Sequence, residues 1–241
     1  MSGHSKWNNI KRKKEKTDAQ KGKIFTKIGK EMAVAIRAGG PNPDNNSRLR
    51  DLIAKAKANN VPNDNIDRVI KKFSTDTSIE YEDIVYEGYG PSGVAVIVEA
   101  TTDNRNRTAG AVRSYFSKFH GNMGQTGSVS FMFEEKGLIV IEDEDGEIDE
   151  DALMETALEA GAEDFVGDEG IFEIYTVPED VYAIADALTA AGYTFTSAEK
   201  AKIPSTTVQL TDEDDIKFMN LLIDKLEEDD DVMEVYHNWE Q

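Results

Sequence analysis

The chain has 241 residues, no cysteine and a formal net charge of -20, from 27 basic and 47 acidic residues. The lack of cysteine excludes disulfides, thiolate metal sites and cysteine catalysis, and the length allows one large core or two to three smaller domains. An acidic total ordinarily argues against binding to nucleic acid, but binding follows the local field, which fades beyond about 8 Å at physiological salt.

The charge is divided unevenly along the chain. Residues 1–72 contain 18 Lys or Arg and 7 Asp or Glu, whereas residues 73–241 contain 9 Lys or Arg and 40 Asp or Glu. This contrast predicts a boundary near residues 73–78, between a basic module and an acidic remainder. The acidic part either repels polyanions and so keeps nucleic acid on one face, or is simply a soluble surface.

The first thirty residues hold ten basic and two acidic side chains, with a tryptophan among them. Lysine and arginine displace the counterions condensed on nucleic acid, and an aromatic ring stacks on an unpaired base. The predicted nucleic-acid-binding residues here are Lys6, Trp7, Lys11, Arg12, Lys13, Lys14, Lys16, Lys21, Lys23, Lys27 and Lys30. The alternative is a solvated basic tail without a partner.

Three helices are predicted for the basic module. Thr17-Asp18-Ala19-Gln20 has the spacing of a capping box, so the first helix starts there, and it ends at Gly39-Gly40-Pro41. Its apolar residues fall on one face and its lysines on the opposite one. The second helix follows Pro43-Asp44 and stops at Pro62, and the third opens at Asn63 or Asp64.

From residue 79 the sequence changes to β-branched and aromatic residues broken by glycines, which is typical of strands and hairpins. We expect paired strands over 84–89 and 94–100, joined at Gly90-Pro91-Ser92-Gly93, and then a helix over 104–119. A second hairpin is predicted from strands over 129–133 and 138–141 around a turn at 134–137.

The stretch 138–204 has the order βαββαβ, which is the ferredoxin-like pattern. The tail 206–241, with one helix between two strands, is too small to fold alone, so we expect it to return to the sheet made by 84–133. The predicted fold is therefore α+β and multidomain. Its parts are a three-helix module (1–78), a discontinuous α+β domain (79–134 and 205–241) and an inserted ferredoxin-like domain (135–204).

A second candidate binding site lies at the start of the helix predicted over 104–119. Arg105 and Arg107 are placed in its first turn, where the macrodipole disfavours a cation by roughly 0.3–1 kcal/mol, and Arg113 follows on the same helix. Free backbone amides and two guanidinium groups there would bind an anion. The alternative is ion pairing with Asp103 or with neighbouring acidic residues.

No catalytic, metal or cofactor site is predicted. Gly88-Tyr89-Gly90-Pro91-Ser92-Gly93 fits the G-x-G-x-x-G spacing, but a strand follows it, so a tight hairpin is favoured. The acidic run 142–151 lacks the calcium ligands of an EF-hand at both ends. A metal-dependent nuclease using the acidic runs is the enzyme alternative. The longest apolar runs are too short to span a bilayer and no signal sequence opens the chain, so we expect a cytoplasmic protein.

Five segments resemble signatures of the YebC family, in the order found in that family. They are Gly3-His4-Ser5-Lys6-Trp7-Asn8-Asn9-Ile10-Lys11, Asp18-Ala19-Gln20-Lys21-Gly22-Lys23-Ile24-Phe25-Thr26-Lys27, Asn59-Asn60-Val61-Pro62-Asn63-Asp64-Asn65-Ile66, Tyr86-Glu87-Gly88-Tyr89-Gly90-Pro91-Ser92-Gly93 and Thr102-Asp103-Asn104-Arg105-Asn106-Arg107-Thr108. The family includes bacterial proteins described as transcriptional regulators and the mitochondrial translational activator of cytochrome oxidase subunit one.

The resemblance implies three domains and a non-enzymatic factor of gene expression in the cytoplasm. Members are described both as binding promoter DNA and as acting on ribosomes at difficult sequences such as proline runs. The sequence contains no recognisable recognition helix and no dimer-forming heptads, which favours the ribosome. The main expectation is therefore a ribosome-associated translation factor that contacts ribosomal RNA or tRNA. A DNA-binding transcriptional regulator is the alternative.

Overall fold

Three amphipathic helices open the part of the chain that the structure describes. The structure is a computed structural model that describes residues 18–76 and 78–240, with side chains from Gly22 onward. The helices are α1 (Asp18–Gly39), α2 (Ser47–Ala58) and α3 (Asn63–Thr75). All three were predicted, whereas Thr17 of the predicted capping box lies outside the described residues.

The three helices share one apolar core, because each presents an apolar stripe at helical spacing. Ile28, Met32 and Leu49 are fully buried there, and Ile66 of α3 is almost so. Asn46 caps α2: its side-chain oxygen accepts a hydrogen bond from the Leu49 backbone at 3.1 Å, and its amide nitrogen donates to carbonyl oxygens at the end of α1. One buried side chain therefore fixes the corner between α1 and α2.

An antiparallel hairpin begins the next group of elements, as predicted. Strands β1 (Glu82–Tyr89) and β2 (Ala95–Thr102) pair in register around a short 3-10 turn, in which Ser92 adopts a positive φ of 51°. Helix α4 (Arg105–Lys118) then leads into β3 (Asn122–Met123), which pairs with β1.

A ferredoxin-like unit follows. Its elements are β4 (Phe133–Glu142), α5 (Glu150–Glu159), β5 (Asp164–Asp168), β6 (Ile171–Thr176), α6 (Val181–Ala190) and β7 (Ser197–Pro204). The sheet order is β5-β6-β4-β7 with every neighbouring pair antiparallel. Each helix connects two strands that lie on either side of a third, which is the split βαβ arrangement.

The C-terminal elements join the first sheet rather than the second. They are β8 (Val208–Gln209), α7 (Glu213–Glu228), β9 (Val232–His237) and β10 (Trp239–Glu240). Strand β9 pairs antiparallel with β2, which gives the order β3-β1-β2-β9, while β10 pairs with β8. The α+β class is thus confirmed, and the exact division at residues 78, 134 and 204 stays a prediction.

The predicted hairpin around 134–137 is wrong. Residues 130–132 form a 3-10 turn, and β4 runs without a break from Phe133 to Glu142. Gly137 lies inside this strand. A glycine is needed at this position because a Cβ atom would collide with Thr176 and would approach the Cβ of Val181 to 2.7 Å. The glycine therefore permits close packing of β4 against β6 and α6, and in the sequence such a glycine cannot be told from one that marks a turn.

Three further apolar clusters stabilise the two sheets. One lies between the first sheet and helices α4 and α7, and a second between the ferredoxin-like sheet and helices α5 and α6. The third lies between the sheets, where Ile97 and Tyr236 share a cluster with Leu138 and Val140. Within residues 18–76 and 78–240, no helix has both the length and the apolar character needed to cross a membrane.

Candidate nucleic-acid interface

Three of the predicted nucleic-acid-binding lysines line one face of α1. Lys23, Lys27 and Lys30, the lysine stripe, recur at positions i, i+4 and i+7 and therefore point in one direction. Their ammonium groups contact backbone carbonyl oxygens at the end of α7. The distances are 3.3 Å from Lys23 to Glu228, 2.8 Å from Lys27 to Glu227 and 2.8 Å from Lys30 to Asp230.

The partner of the lysine stripe is residues 227–231, Glu-Glu-Asp-Asp-Asp, which we call the acidic end of α7. A helix C-terminus carries a partial negative charge, so carboxylates there are unfavourable by themselves. The lysine stripe compensates for this, since it provides cations to both the last carbonyl oxygens and the carboxylates. Lys23 lies 3.5 Å from the Asp230 carboxylate, and Lys30 lies 2.8 Å from that of Asp231.

Asp231 is the centre of this contact. Its carboxylate accepts hydrogen bonds from Lys30 at 2.8 Å, Arg107 at 2.5 Å, Thr108 at 2.8 Å and Thr102 at 3.1 Å. Burial opposes ionisation of Asp231, but the hydrogen bonds from Lys30, Arg107 and Thr108 outweigh it and hold its pKa below the ordinary value. The hydrogen bonds that Arg107 makes to Asp231 and to Asp103 raise the pKa of Arg107, so Arg107 and Asp231 are both ionised.

The structure thereby brings together two predicted cations that lie far apart in sequence. Lys30 of α1 and Arg107 of α4 line one polar cleft of about 420 Å³, together with Tyr81, Asp103 and the acidic end of α7. Arg107 also bonds Asp103 at 2.8 Å. This is the ion pair that the sequence offered as the alternative to an anion site.

The remaining predicted residues fall into two groups. Arg105 is exposed and pairs with Glu82 at 3.5 Å, and Arg113 is exposed on α4. The others lie outside the described residues, in the case of Lys21 by its side chain only; they are Lys6, Trp7, Lys11, Arg12, Lys13, Lys14, Lys16 and Lys21. A role in nucleic-acid binding stays a prediction for every member of the set.

Helix α3 carries a second group of cations, which the sequence analysis missed. Arg68, Lys71 and Lys72 are exposed and share one face at spacing i, i+3 and i+4. Four residues, 59–62, connect α2 to α3, and this is the turn length of a helix-turn-helix unit. The spacing of these cations was readable in the sequence, but the lysine-rich first thirty residues dominated the charge count.

A buried ionic cluster holds α2 against both sheets. The ammonium group of Lys55 lies 3.3 Å from the Glu31 carboxylate and 3.4 Å from that of Glu234 in β9, with Glu199 of β7 nearby. Burial opposes the charge on Lys55, yet the carboxylates raise its pKa; burial raises the pKa of Glu31. This Lys55 cluster lines a cleft of about 970 Å³ between the helices, β7, β9 and α7.

The glycine-rich segment 121–127 is fixed by a buried carboxylate. Glu87 of β1 accepts backbone hydrogen bonds from Gly127, Val129 and Ser130, each at 2.8 Å. Burial raises the pKa of Glu87, but these three bonds outweigh it and lower the pKa. These bonds brace the end of the glycine-rich segment against β1.

Comparison with known proteins identifies the family. The model of the TACO1/YebC N-terminal domain matches residues 5–76, and that of the TACO1/YebC second and third domain matches residues 81–239. The chain belongs to the TACO1/YebC family. The resemblance of the five sequence segments to YebC signatures is therefore confirmed.

Relatives similar over their whole length support the same assignment. A "probable transcriptional regulatory protein" of Acetivibrio thermocellus is 60% identical over 240 residues, 99% of each chain. A protein of the same description from Ruminiclostridium cellulolyticum is 59% identical and covers 100% of this chain and 97% of its own. The crystal structure of a conserved hypothetical protein from Aquifex aeolicus has a TM-score of 0.81 and 46% identity, over 93% of this chain and 92% of that one.

Proposed function

We propose that this TACO1/YebC-family protein regulates gene expression by binding nucleic acid through its basic N-terminal module, without a catalytic step. The observation that carries the proposal is the charge contrast: net +11 in residues 1–72 against net −31 in the remainder. Contacts to phosphates supply most of the affinity for nucleic acid, whereas acidic surfaces oppose it. The basic module is therefore the part of the protein that determines which partner it binds.

A DNA-binding transcriptional regulator is the first form of this proposal. It is supported by the description of the relatives as probable transcriptional regulatory proteins. It is also supported by the short connection between α2 and α3 and by the exposed Arg68, Lys71 and Lys72 on α3. In a helix-turn-helix protein the second helix of such a pair enters the major groove.

A ribosome-associated translation factor, which assists elongation at sequences such as proline runs, is the second form. One observation favours it: the lysine stripe of α1 lies against α7 instead of forming an open face that could enter a duplex groove. Cations at a junction between structural units suit a folded partner such as ribosomal RNA or tRNA, which is recognised by its shape.

Affinity measurements at one fixed salt concentration separate the two forms. A transcriptional regulator should bind a promoter duplex at least about tenfold more tightly than a scrambled duplex of equal length. Replacing Arg68, Lys71 and Lys72 with alanine should reduce this preference. Equal affinity for both duplexes contradicts the transcriptional form.

Sedimentation of a cell extract through a sucrose gradient in mild salt tests the second form. A translation factor should migrate in part with ribosomes, and a variant with Lys13→Ala and Lys14→Ala should migrate less. The matched control is Lys136→Ala with Lys217→Ala, which removes the same charge from outside the basic module. Protein found only at the top of the gradient contradicts the translational form, and equal losses in the two variants contradict the role of the basic module.

A further inference from the structure

The lysine stripe of α1 already binds a surface with the chemistry of a nucleic-acid backbone. Its three ammonium groups contact three carbonyl oxygens, from Glu227, Glu228 and Asp230, at 2.8–3.3 Å. Carboxylates flank these oxygens, and the negative end of the α7 macrodipole adds to their field. A phosphodiester chain likewise presents a row of oxygens with negative charge to lysines.

The two ends of the lysine stripe differ in their exposure to solvent. The side chain of Lys23 is 52% exposed and that of its partner Asp230 is 71% exposed, whereas the side chains of Lys30 and Asp231 are 14% and 9% exposed. Exposed ion pairs contribute little to stability and exchange readily, whereas buried ones are costly to separate. The contact is therefore weaker at Lys23 than at Lys30.

We propose that the acidic end of α7 is an internal competitor that occupies the lysine stripe until a nucleic-acid backbone displaces it, starting at Lys23. The inference rests on the proposed function, since it concerns the same lysines. It adds a regulatory contact: the acidic end lowers affinity for nonspecific polyanions. A nucleic acid that also engages other cations of the module gains enough contacts to open the stripe.

The acidic end supplies its own matched control. The Asp230 carboxylate contacts Lys23, whereas that of Asp229 accepts hydrogen bonds from the Tyr115 hydroxyl at 3.0 Å and the Asp231 backbone at 2.9 Å. Asp230→Asn and Asp229→Asn therefore remove the same charge from adjacent positions, and only the first removes a competing carboxylate from the stripe.

Fluorescence anisotropy with two labelled probes, a 20-nucleotide unstructured RNA and a 20-base-pair DNA duplex, tests the competition. We expect Asp230→Asn to bind one or both probes about two- to fivefold more tightly than wild type, the range set by an exposed ion pair. Asp229→Asn should show a smaller gain. Equal gains in the two variants, or no gain in either, overturn the inference while leaving the proposed function standing. Failure of wild type and variants to bind either probe overturns both.

A distance measurement detects the displacement directly. The chain has no cysteine, so spin labels can be placed on Thr26→Cys in α1 and Lys217→Cys in α7, both exposed positions. Saturating RNA or DNA should shift or broaden the distance distribution between the labels, and chloride at equal ionic strength should change it less. A distribution that saturating nucleic acid leaves unchanged contradicts displacement.

Discussion

Among the contacts between the helical module and the rest of the molecule, two ionic clusters use the same chemistry at different exposure to solvent. The lysine stripe meets the acidic end of α7 at the edge of a polar cleft, with Lys23 and Asp230 largely exposed. The Lys55 cluster is enclosed, since the side chains of Lys55, Glu31 and Glu234 are 18%, 16% and 10% exposed. Salt and polyanions therefore reach the Lys23 end of the lysine stripe more readily than they reach the Lys55 cluster. The exposed contact at Lys23 can therefore exchange its partner, whereas the Lys55 cluster holds the helical module against the two sheets.

The largest effect is expected at Lys55. Methionine has a similar length but no charge, so Lys55→Met leaves the largely buried carboxylates of Glu31 and Glu234 without their cation. Breaking a buried pair in this way costs about 3–5 kcal/mol. Urea unfolding should show this loss in the free energy of unfolding, whereas Lys57→Met, exposed on the same helix, should change it by less than about 0.5 kcal/mol.

The pH dependence of the Lys55→Met variant provides a second readout. Burial already raises the pKa of Glu31, and loss of Lys55 removes an attraction that lowers it. A carboxyl group with a raised pKa in the folded state destabilises the fold at high pH, and protonation relieves this. The stability deficit should therefore be smaller at about pH 5 than at about pH 8. A deficit independent of pH would show that packing, and not charge, was lost.

Asp231→Asn should have an intermediate effect. The amide cannot neutralise Lys30 and Arg107, so we expect a loss of about 2–3 kcal/mol in the free energy of unfolding. The pKa of Asp231 is lowered in the folded state, so its stabilisation is fully present above the ordinary value of 3.8 and is lost as the pH falls through the lowered pKa. The difference in the free energy of unfolding between wild type and variant should therefore decrease from about pH 6 to about pH 3, as measured by thermal unfolding. A difference that does not change with pH would contradict the stabilising role of the ionised Asp231 carboxylate.

Most of the fold could be predicted from the sequence because its signals are local. The α1 stripe of Ile28, Met32 and Ile36 has helical spacing, and Gly90-Pro91-Ser92-Gly93 marks a real turn. Gly137 was misinterpreted because the reason for its small size is nonlocal: it makes room for Thr176 and Val181, some forty residues later. A glycine required by packing resembles a glycine required by a turn.

The candidate site was predictable only in part. The lysine stripe was placed correctly on the face opposite the apolar core, but its partner, the acidic end of α7, was not anticipated. A signal existed, because five consecutive acidic residues at a helix C-terminus oppose the macrodipole and therefore call for nearby cations. Which cations these are depends on how β9 returns to β2, and charge counts along the chain carry no information on that pairing.

The smallest effect is expected at Lys23, and it tests the exchangeable nature of the stripe. Lys23→Gln removes contacts to the Glu228 carbonyl at 3.3 Å and the Asp230 carboxylate at 3.5 Å, which in an exposed setting contribute at most about 1 kcal/mol. The loss in the free energy of unfolding should disappear in about 1 M salt, where the screening length is about 3 Å. Lys71→Gln, on the exposed face of α3, is the control and should show no loss at low salt. A loss at Lys23 that persists in high salt would mean that the stripe is held as firmly as the Lys55 cluster, and the contrast between the two would fail.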